Sequence, residues 1–338
     1  MMDLTRYYVS CNLCPRRCGV NRHNSAGFCG EGADLRLACA SIHRGEEPPI
    51  SGTGGSGTVF VSGCNLGCVF CQNYQISQSD VKSGVAAAMQ GKTPPMGRIV
   101  SIEEFARICL TLQEQGAENI NIVTGSHAIP ALAAGIDAAR AIGVQIPVLW
   151  NTSSYETTEA LELLRGRIDV FLPDLKTLDA DIAGRFFNTP NYPAVAVAAI
   201  RKMMELAGGS ALSGEMTHGV IIRHLILPGF LESTRRVLRW FADNAMRGAL
   251  LSLMTQYTPP SIDAAAHFGN AAPAGIPARY VNESEYETVL GWLDEFGIDD
   301  GYCQELVTGS DWLPDFGCLN PFSSELSKPV WHWNSGII

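Results

Sequence analysis

The sequence is poor in charged residues, and positive charge is especially scarce. Only 17% of its 338 residues are charged, with 24 Lys and Arg against 34 Asp and Glu, so the formal net charge is −10 at pH 7. Binding to a phosphate backbone depends on clustered Lys and Arg, so this balance argues against nucleic acid as the main partner. With 46% hydrophobic residues, the composition is typical of a compact globular protein and not of a disordered one.

The sequence also lacks any apolar run near the roughly 20 residues that span a bilayer. Its first residues, MMDLTRYYVSCNLC, contain none of the apolar segment of a secretory signal. We therefore expect a cytoplasmic protein with no membrane partner. In that compartment thiols stay reduced, so closely spaced cysteines more often bind metal or do chemistry than form disulfides.

Three regions differ in composition. Residues 1–55 carry five cysteines and many turn residues, and they run into the Pro- and Gly-rich string EEPPISGTGGSG, which predicts a turn or linker. A segment this small needs a metal or a neighbour to hold its structure. We predict a cysteine-rich metal-binding head over 1–55, a main domain over 56–310 and a C-terminal tail over 311–338.

Apolar runs and helix-period segments alternate through the main domain. Six runs are typical of parallel strands that are buried on both faces. They cover residues 58–63, 119–125, 145–151, 168–174, 219–227 and 249–257. The first helical segment begins with a capping box at Ser101 and Glu104 and ends near Gly116. Six such units predict an α/β fold, specifically a partial (β/α)6-type TIM barrel.

Polar and metal-binding side chains lie at the end of each predicted strand. In α/β barrels and open sheets the functional groups sit at the carboxyl ends of the strands. The sequence places there, in order, Cys64, Cys68, Cys71, His127, Asn151, Asp174, Lys176, His224 and Gln256. Any one of them alone could equally cap a helix or satisfy a loop amide, but together they predict a single site.

Three cysteines lie within eight residues directly after the first strand, in the string GCNLGCVFCQNYQIS. A cubane [4Fe-4S] cluster has four irons, so the thiolates of Cys64, Cys68 and Cys71 would leave one iron open to an outside ligand, as a catalytic metal site requires. A zinc knuckle and a set of inert thiols are the alternatives. The missing fourth cysteine therefore predicts a catalytic cluster.

The spacing Cys64-x3-Cys68-x2-Cys71, with the aromatic Phe70 before the last cysteine, resembles the radical S-adenosylmethionine (SAM) superfamily. The strings CNLCPRRCGVNR, WNTSSYE, LPDLKTLD, RHLILPG and TQYTP resemble the branch related to pyruvate formate-lyase activating enzyme, over roughly residues 7–260. The resemblance implies that the open iron binds the amino and carboxylate groups of SAM. An electron from a donor such as flavodoxin or ferredoxin would then cleave SAM to a 5′-deoxyadenosyl radical.

The resemblance also implies roles for single residues. Phe70 matches an aromatic position near the adenine, and Asp174 and Lys176 match an acidic and basic pair in which the ammonium meets the SAM carboxylate. His224 matches a position of polar SAM contacts, although a His on an apolar strand is often a core residue. Two further cofactor-binding candidates, Asn151 and Gln256, carry amides suited to ribose hydroxyls or a substrate backbone.

The chain departs from the superfamily pattern after the second strand. A Gly-Gly-Glu stretch often receives the SAM amino group there, whereas this chain reads VTGSHAIP. Gly125 still permits close backbone approach, and we assign Gly125 and Ser126 to cofactor binding. His127 either binds SAM or reaches the substrate, and His127 and Lys176 are the candidate catalytic residues. The segment over 80–98, rich in Gly, Pro and Ala, is either a lid or filler.

The head contains its own candidate metal ligands. Four thiolates, from Cys11, Cys14, Cys18 and Cys29, would suffice for zinc, a rubredoxin-like iron or a second iron–sulfur cluster. A site whose four positions are all filled by protein would be structural or would transfer electrons. Cys39 is a spare candidate ligand.

Three functions are compatible with these interpretations. The first is a radical SAM enzyme that abstracts hydrogen from a protein or peptide substrate, as glycyl radical activases do. The second is a radical SAM enzyme that acts on a small molecule or on RNA, for which a closed pocket would argue in favour of the small molecule. The third is a non-catalytic electron carrier, which would leave Asp174, Lys176 and His224 at the strand ends unexplained.

Overall fold

The computed structural model describes residues 6–77, 96–208, 218–260 and 275–338. Most of the lid candidate, residues 80–95, lies outside the described residues. The strands are β1 (Leu35–His43), β2 (Ser56–Val61), β3 (Arg98–Val100), β4 (Ile120–Val123), β5 (Val148–Thr152), β6 (Val170–Pro173), β7 (Gly219–Leu225), β8 (Leu250–Met254), β9 (Gly301–Cys303), β10 (Ser327–His332) and β11 (Gly336–Ile337). The helices are α1 (Arg6–Val9), α2 (Pro48–Ser51), α3 (Tyr74–Ser77), α4 (Ile102–Glu114), α5 (Ile129–Ala141), α6 (Thr158–Glu162), α7 (Ala180–Phe187), α8 (Tyr192–Ala207), α9 (Leu231–Asn244) and α10 (Glu283–Phe296). No helix within these ranges has both the length and the apolar character that crossing a membrane requires.

The parallel part of the sheet confirms the predicted α/β fold. Strands β2, β4, β5, β6, β7 and β8 are the six predicted runs, and they pair in parallel in that order. A further strand, β9, adds to β8 in parallel. The sheet runs from β11 at one end to β9 at the other, with no pairing between these ends among the described residues, so the barrel is partial.

Local sequence explains these elements. Strands β4 and β6 are buried at every position, as continuous apolar runs in a parallel sheet require. Helix α4 begins at the predicted cap, where the Ser101 side chain accepts a hydrogen bond from the Glu104 amide. Its buried residues include Phe105, Ile108 and Leu112, which form one apolar stripe facing the core.

An antiparallel part extends the sheet beyond β2. Strand β1 pairs antiparallel with β2, with β3 and with β10, and β10 pairs with β11. The sequence analysis did not predict these strands. Because β1 comes from the head and β10 from the tail, all three predicted regions contribute to one sheet. The division at residues 55 and 310 stays a prediction, and the sheet pairing does not mark it.

Candidate active site

The cluster loop, residues 63–73, follows β2 and is held by backbone hydrogen bonds. The amide of Gly63 donates to the carbonyl of Ile76 at 2.7 Å, and that of Val69 donates to Phe186 at 2.9 Å. Gly63 has a positive φ of 83°, and a Cβ there would lie 2.9 Å from the carbonyl oxygen of Cys29, so only glycine fits. The loop is thus anchored from several sides, which fixes the directions of its three thiols.

All three thiols of the cluster loop line one cavity of about 450 Å³ at the carboxyl ends of the parallel strands. Five other predicted site residues share its wall: Phe70, Asn151, Asp174, Lys176 and Gln256. The structure therefore brings together the predicted cluster ligands and most of the predicted SAM contacts. The volume is in the usual range for a pocket that holds one cofactor-sized ligand.

A lysine–aspartate ion pair lies in this cavity. The Nζ of Lys176 is 2.5 Å from Oδ2 of Asp174, and the two side chains are only 21% and 22% exposed. Burial by itself would lower the pKa of Lys176, but the Asp174 carboxylate outweighs it and the pKa is raised. The backbone amide of Lys176 donates to the Tyr192 hydroxyl at 3.0 Å, which donates to the Asp174 carbonyl at 2.9 Å. Lys176 is therefore a fixed positive charge that can meet a ligand carboxylate.

Gln256 is held between two other glutamines. Its backbone carbonyl accepts from Gln72 of the cluster loop at 2.9 Å, and its side-chain oxygen accepts from Gln304 at 3.1 Å. Gln304, which follows β9, also lines the cavity and accepts from the Thr255 amide at 2.9 Å. Sequence analysis missed Gln304 because it did not predict β9.

Three predicted residues after β4 do not line the cavity. A Cβ on Gly125 would lie 2.4 Å from the Trp150 ring, so this glycine allows close packing within the core. Ser126 is buried and donates to Glu156 at 2.8 Å. The buried His127 lies behind the cluster loop, where its Nε2 is 3.1 Å from the position of a Cβ on Gly63. Their assignment to SAM or substrate stays a prediction that the cavity lining does not support.

His224 also lies off the cavity. It is 1% exposed, with Nδ1 2.7 Å from the Leu175 carbonyl and Nε2 3.0 Å from the Thr234 hydroxyl. Burial lowers its pKa to about 4, so the ring is neutral at pH 7. Successive residues on a strand face opposite sides, and on β7 the preceding residue, Arg223, lines the cavity instead. The geometry matches the alternative of a satisfied core histidine.

We expect His224→Gln to flatten the pH dependence of stability without changing the KM for SAM. A histidine pKa lowered from 6.5 to about 4 on folding contributes stability above pH 6.5 that is lost as the pH falls toward 4. Over that window the loss is about 3 kcal/mol for the wild type, and the variant should lack it. Urea unfolding of the apoprotein from pH 7 to pH 4 measures the difference. A large rise in KM for SAM would instead support the sequence-based assignment to the cofactor.

Two acidic residues and an arginine form a buried group that sequence analysis missed. Arg223 donates to Glu47 at 2.8 Å and to Glu46 at 2.5 Å, and all three side chains are at least 87% buried. Glu46 and Arg223 line the cavity. The only sequence signal was the pair Glu46 and Glu47 before two prolines at the head boundary, and that string predicted a turn or linker.

Another buried carboxylate, that of Glu156, lies near the end of β5. Glu156 accepts hydrogen bonds from Ser126 at 2.8 Å, from the Trp150 indole at 3.0 Å and from the Thr152 hydroxyl. Burial raises the pKa of Glu156. Because Thr152 and its neighbour Asn151 line the cavity, this network fixes the floor beside the predicted ribose contact.

The C-terminal tail supplies another wall of the cavity. The tail residues that line it are Asp311, Trp312, Pro314, Phe322 and Leu326. Gln75 on α3, the helix that directly follows the cluster loop, binds this segment: it donates to Asp315 at 3.1 Å and accepts from the Phe316 amide at 2.8 Å. The tail has no periodicity in the sequence, so its place at the site was not predicted.

The donor set fits a [4Fe-4S] cluster with SAM on its open iron. Three thiols from one loop face a cavity that also holds a cation for a carboxylate and two amides. Within the described ranges, no three Cys, His, Asp or Glu side chains converge tightly enough to bind a single metal ion. Cluster ligands need not converge in that way, because each thiolate binds a different iron.

The chain belongs to the radical SAM superfamily, whose family model matches residues 58–241. Its cofactors are therefore a [4Fe-4S] cluster and SAM, and it is a radical SAM enzyme. The chain is 30% identical over 253 residues to the uncharacterized protein MJ0674 of Methanocaldococcus jannaschii, covering 75% of this chain and 67% of that protein.

Two solved structures are similar to this chain at low identity. SuiB of Streptococcus suis, bound to its precursor peptide SuiA, is 13% identical with a TM-score of 0.44, over 72% of this chain and 46% of SuiB. HydG, a maturase of the [FeFe]-hydrogenase, is 11% identical with a TM-score of 0.45, over 71% of this chain and 48% of HydG. The chain thus spans about half the length of either protein.

Proposed function

We propose that this enzyme cleaves SAM reductively and abstracts a hydrogen atom from a protein or peptide substrate, in the manner of pyruvate formate-lyase activating enzyme. The observation that carries the proposal is the shared cavity of the three cluster-loop thiols and the Asp174–Lys176 pair. The cluster and SAM together supply one-electron cleavage to a 5′-deoxyadenosyl radical. The activase-like assignment rests on the sequence resemblance.

The residues of the cavity bind and orient SAM. Lys176 holds the carboxylate by a charge-assisted hydrogen bond, and the amides of Asn151 and Gln256 hold ribose hydroxyls or a substrate backbone. Phe70 lies beside the adenine. Its ring is fixed edge-on by Phe187 and Tyr257, with centroids 5.7 and 5.5 Å away.

The volume of the cavity that SAM would leave unfilled favours a narrow substrate group. After SAM has taken its share of about 450 Å³, little space remains beside Phe60, Trp312 and Phe322. A glycine at the tip of a peptide loop presents its Cα hydrogens without a side chain, so it can enter such a space. Enclosure by these walls also excludes water from the radical.

A small-molecule substrate is the second candidate, and the tail favours it. Trp312, Pro314 and Phe322 form one wall of the cavity. A metabolite pocket would have such a wall, whereas an open peptide groove would lack it. No comparable observation favours an electron carrier, since membership of the superfamily makes the chain a radical SAM enzyme. In either catalytic case, a donor such as flavodoxin or ferredoxin reduces the cluster.

Adding size-fractionated cell extract to the assay distinguishes a protein or peptide substrate from a small-molecule substrate. We expect the protein fraction to increase 5′-deoxyadenosine formation several-fold, because hydrogen abstraction from a bound substrate drives SAM cleavage forward. Protease treatment of that fraction should remove the stimulation, and EPR should detect an organic radical on a protein. Stimulation by the small-molecule fraction alone would select the second candidate.

A further inference from the structure

The four head cysteines lie together behind the cluster loop. The thiols of Cys11 and Cys18 are in hydrogen-bond contact. The sulfur atoms of Cys18 and Cys29 lie 3.3 and 3.5 Å from the position that a Cβ on Gly27 would occupy. Cys14 is within electrostatic range of both. Three of the four are buried, so the folding of the head brings the thiols together away from solvent.

Two arginines beside these thiols form no ion pair with a carboxylate of the described residues. Arg22 is only 3% exposed; its Nη1 is 4.0 Å from the Cys11 sulfur and its Nε has no hydrogen-bond partner. Arg16 donates to the carbonyls of Asn65 and Asn188 at 2.9 and 2.8 Å. Burying a guanidinium without a counter-charge is costly. Glu31 is within electrostatic range of Arg22 but forms its ion pair with Arg36, so a further anionic group is expected beside Arg22.

A metal centre with four thiolates would supply that charge. The four thiols do not converge in this structure as tightly as a single-ion site requires, so binding of one ion would draw them closer together. Four thiolates around one divalent ion, or around an oxidised [4Fe-4S] cluster, carry a net charge of about −2. This equals and opposes the charge of Arg16 and Arg22. Four neutral thiols would supply none of this charge.

We propose that Cys11, Cys14, Cys18 and Cys29 hold a second metal centre, separate from the catalytic cluster, and that this centre supports the cluster loop. The Cys29 carbonyl accepts a hydrogen bond from the Cys64 amide at 3.3 Å. The Cys14 thiol is hydrogen-bonded to the side chain of Asn65, the next residue of that loop. Metal binding at the head would therefore hold the loop through the amide of Cys64 and through the side chain of the next residue, Asn65.

Metal analysis of a chain without the catalytic cluster tests the centre. The full-length triple variant Cys64→Ala, Cys68→Ala, Cys71→Ala should retain about one zinc, or about four irons with sulfide, per chain. Adding Cys14→Ala and Cys18→Ala should remove that metal, whereas adding the exposed Cys318→Ser should not. Zinc would define a structural site and iron with sulfide a second cluster. A triple variant that binds neither, after exposure to zinc and to iron with sulfide, would overturn the proposal.

Hydrogen exchange on the same triple variant tests the support of the loop without relying on head substitutions. Removing the head metal with a chelator should speed exchange in peptides covering residues 63–73 by at least about tenfold, as local opening becomes easier. Peptides from helix α4 should exchange at an unchanged rate, which excludes global unfolding. Loss of the metal with no change in exchange at residues 63–73 would show that the centre does not support the loop.

Discussion

Cys68→Ala should reduce 5′-deoxyadenosine formation to the level of a protein-free control. In our assignment the three thiols of the cluster loop are the complete protein ligand set of a [4Fe-4S] cluster with one open iron, so loss of one thiol leaves that set incomplete. Cys68 is the middle one of the three predicted ligands and lines the cavity. It lies close enough to Lys176 to contribute to the rise in the pKa of that lysine. Losing it removes the cluster or leaves it unable to bind SAM in one fixed orientation.

The measurement is anaerobic reconstitution with iron and sulfide, then dithionite and SAM, with the nucleoside quantified by chromatography. Cys109→Ala is the matched control, because Cys109 is buried on α4 away from the cavity and its loss only removes a sulfur from the core. We expect wild-type activity from the control and circular dichroism spectra that match for all three proteins. Product from Cys68→Ala at the wild-type rate would show that Cys68 is not a cluster ligand.

The parts of the fold that sequence predicted are those whose signal is local. The six predicted parallel strands are mainly apolar, such as VFLP in β6, because both faces of that sheet are covered. Strand β10, with the sequence SKPVWH, contains a proline and no clear alternation, and it exists because β1 pairs with it. Strand β9 has only three residues. Long-range pairing of this kind leaves little trace in a single sequence.

The same distinction applies to the site. The cluster ligands lie within eight residues, so their spacing alone indicated the chemistry. On β7 the sequence favoured His224, but strand register decides which of two neighbours faces the cavity, and a shift of one residue reverses the answer. The structure places Arg223 there, together with Glu46 from before the barrel and Trp312 from the tail. These residues are far apart in the chain, and only the folded structure brings them together.

Lys176→Met should raise the KM for SAM by about ten- to a hundredfold and leave kcat nearly unchanged. A charge-assisted hydrogen bond contributes about 1.5–3 kcal/mol, and each 1.4 kcal/mol corresponds to a factor of ten in affinity. The carboxylate of SAM is bound before and during the reaction, so losing its partner weakens the ground state and the transition state equally. Steady-state 5′-deoxyadenosine formation over a range of SAM concentrations gives both constants.

Lys202→Met is the matched control for this prediction. Lys202 also makes ion pairs, with Glu162 and Glu205 at 2.8 Å, but it lies on α8 and does not line the cavity. Since the Asp174 carboxylate raises the pKa of Lys176, the wild-type KM should not change through neutral pH from loss of this charge. If Lys176→Met instead lowered kcat with KM unchanged, Lys176 would act in the transition state only. Its ammonium would then contact the reacting group of the substrate and not the SAM carboxylate, and the catalytic assignment of Lys176 would replace its assignment to SAM binding.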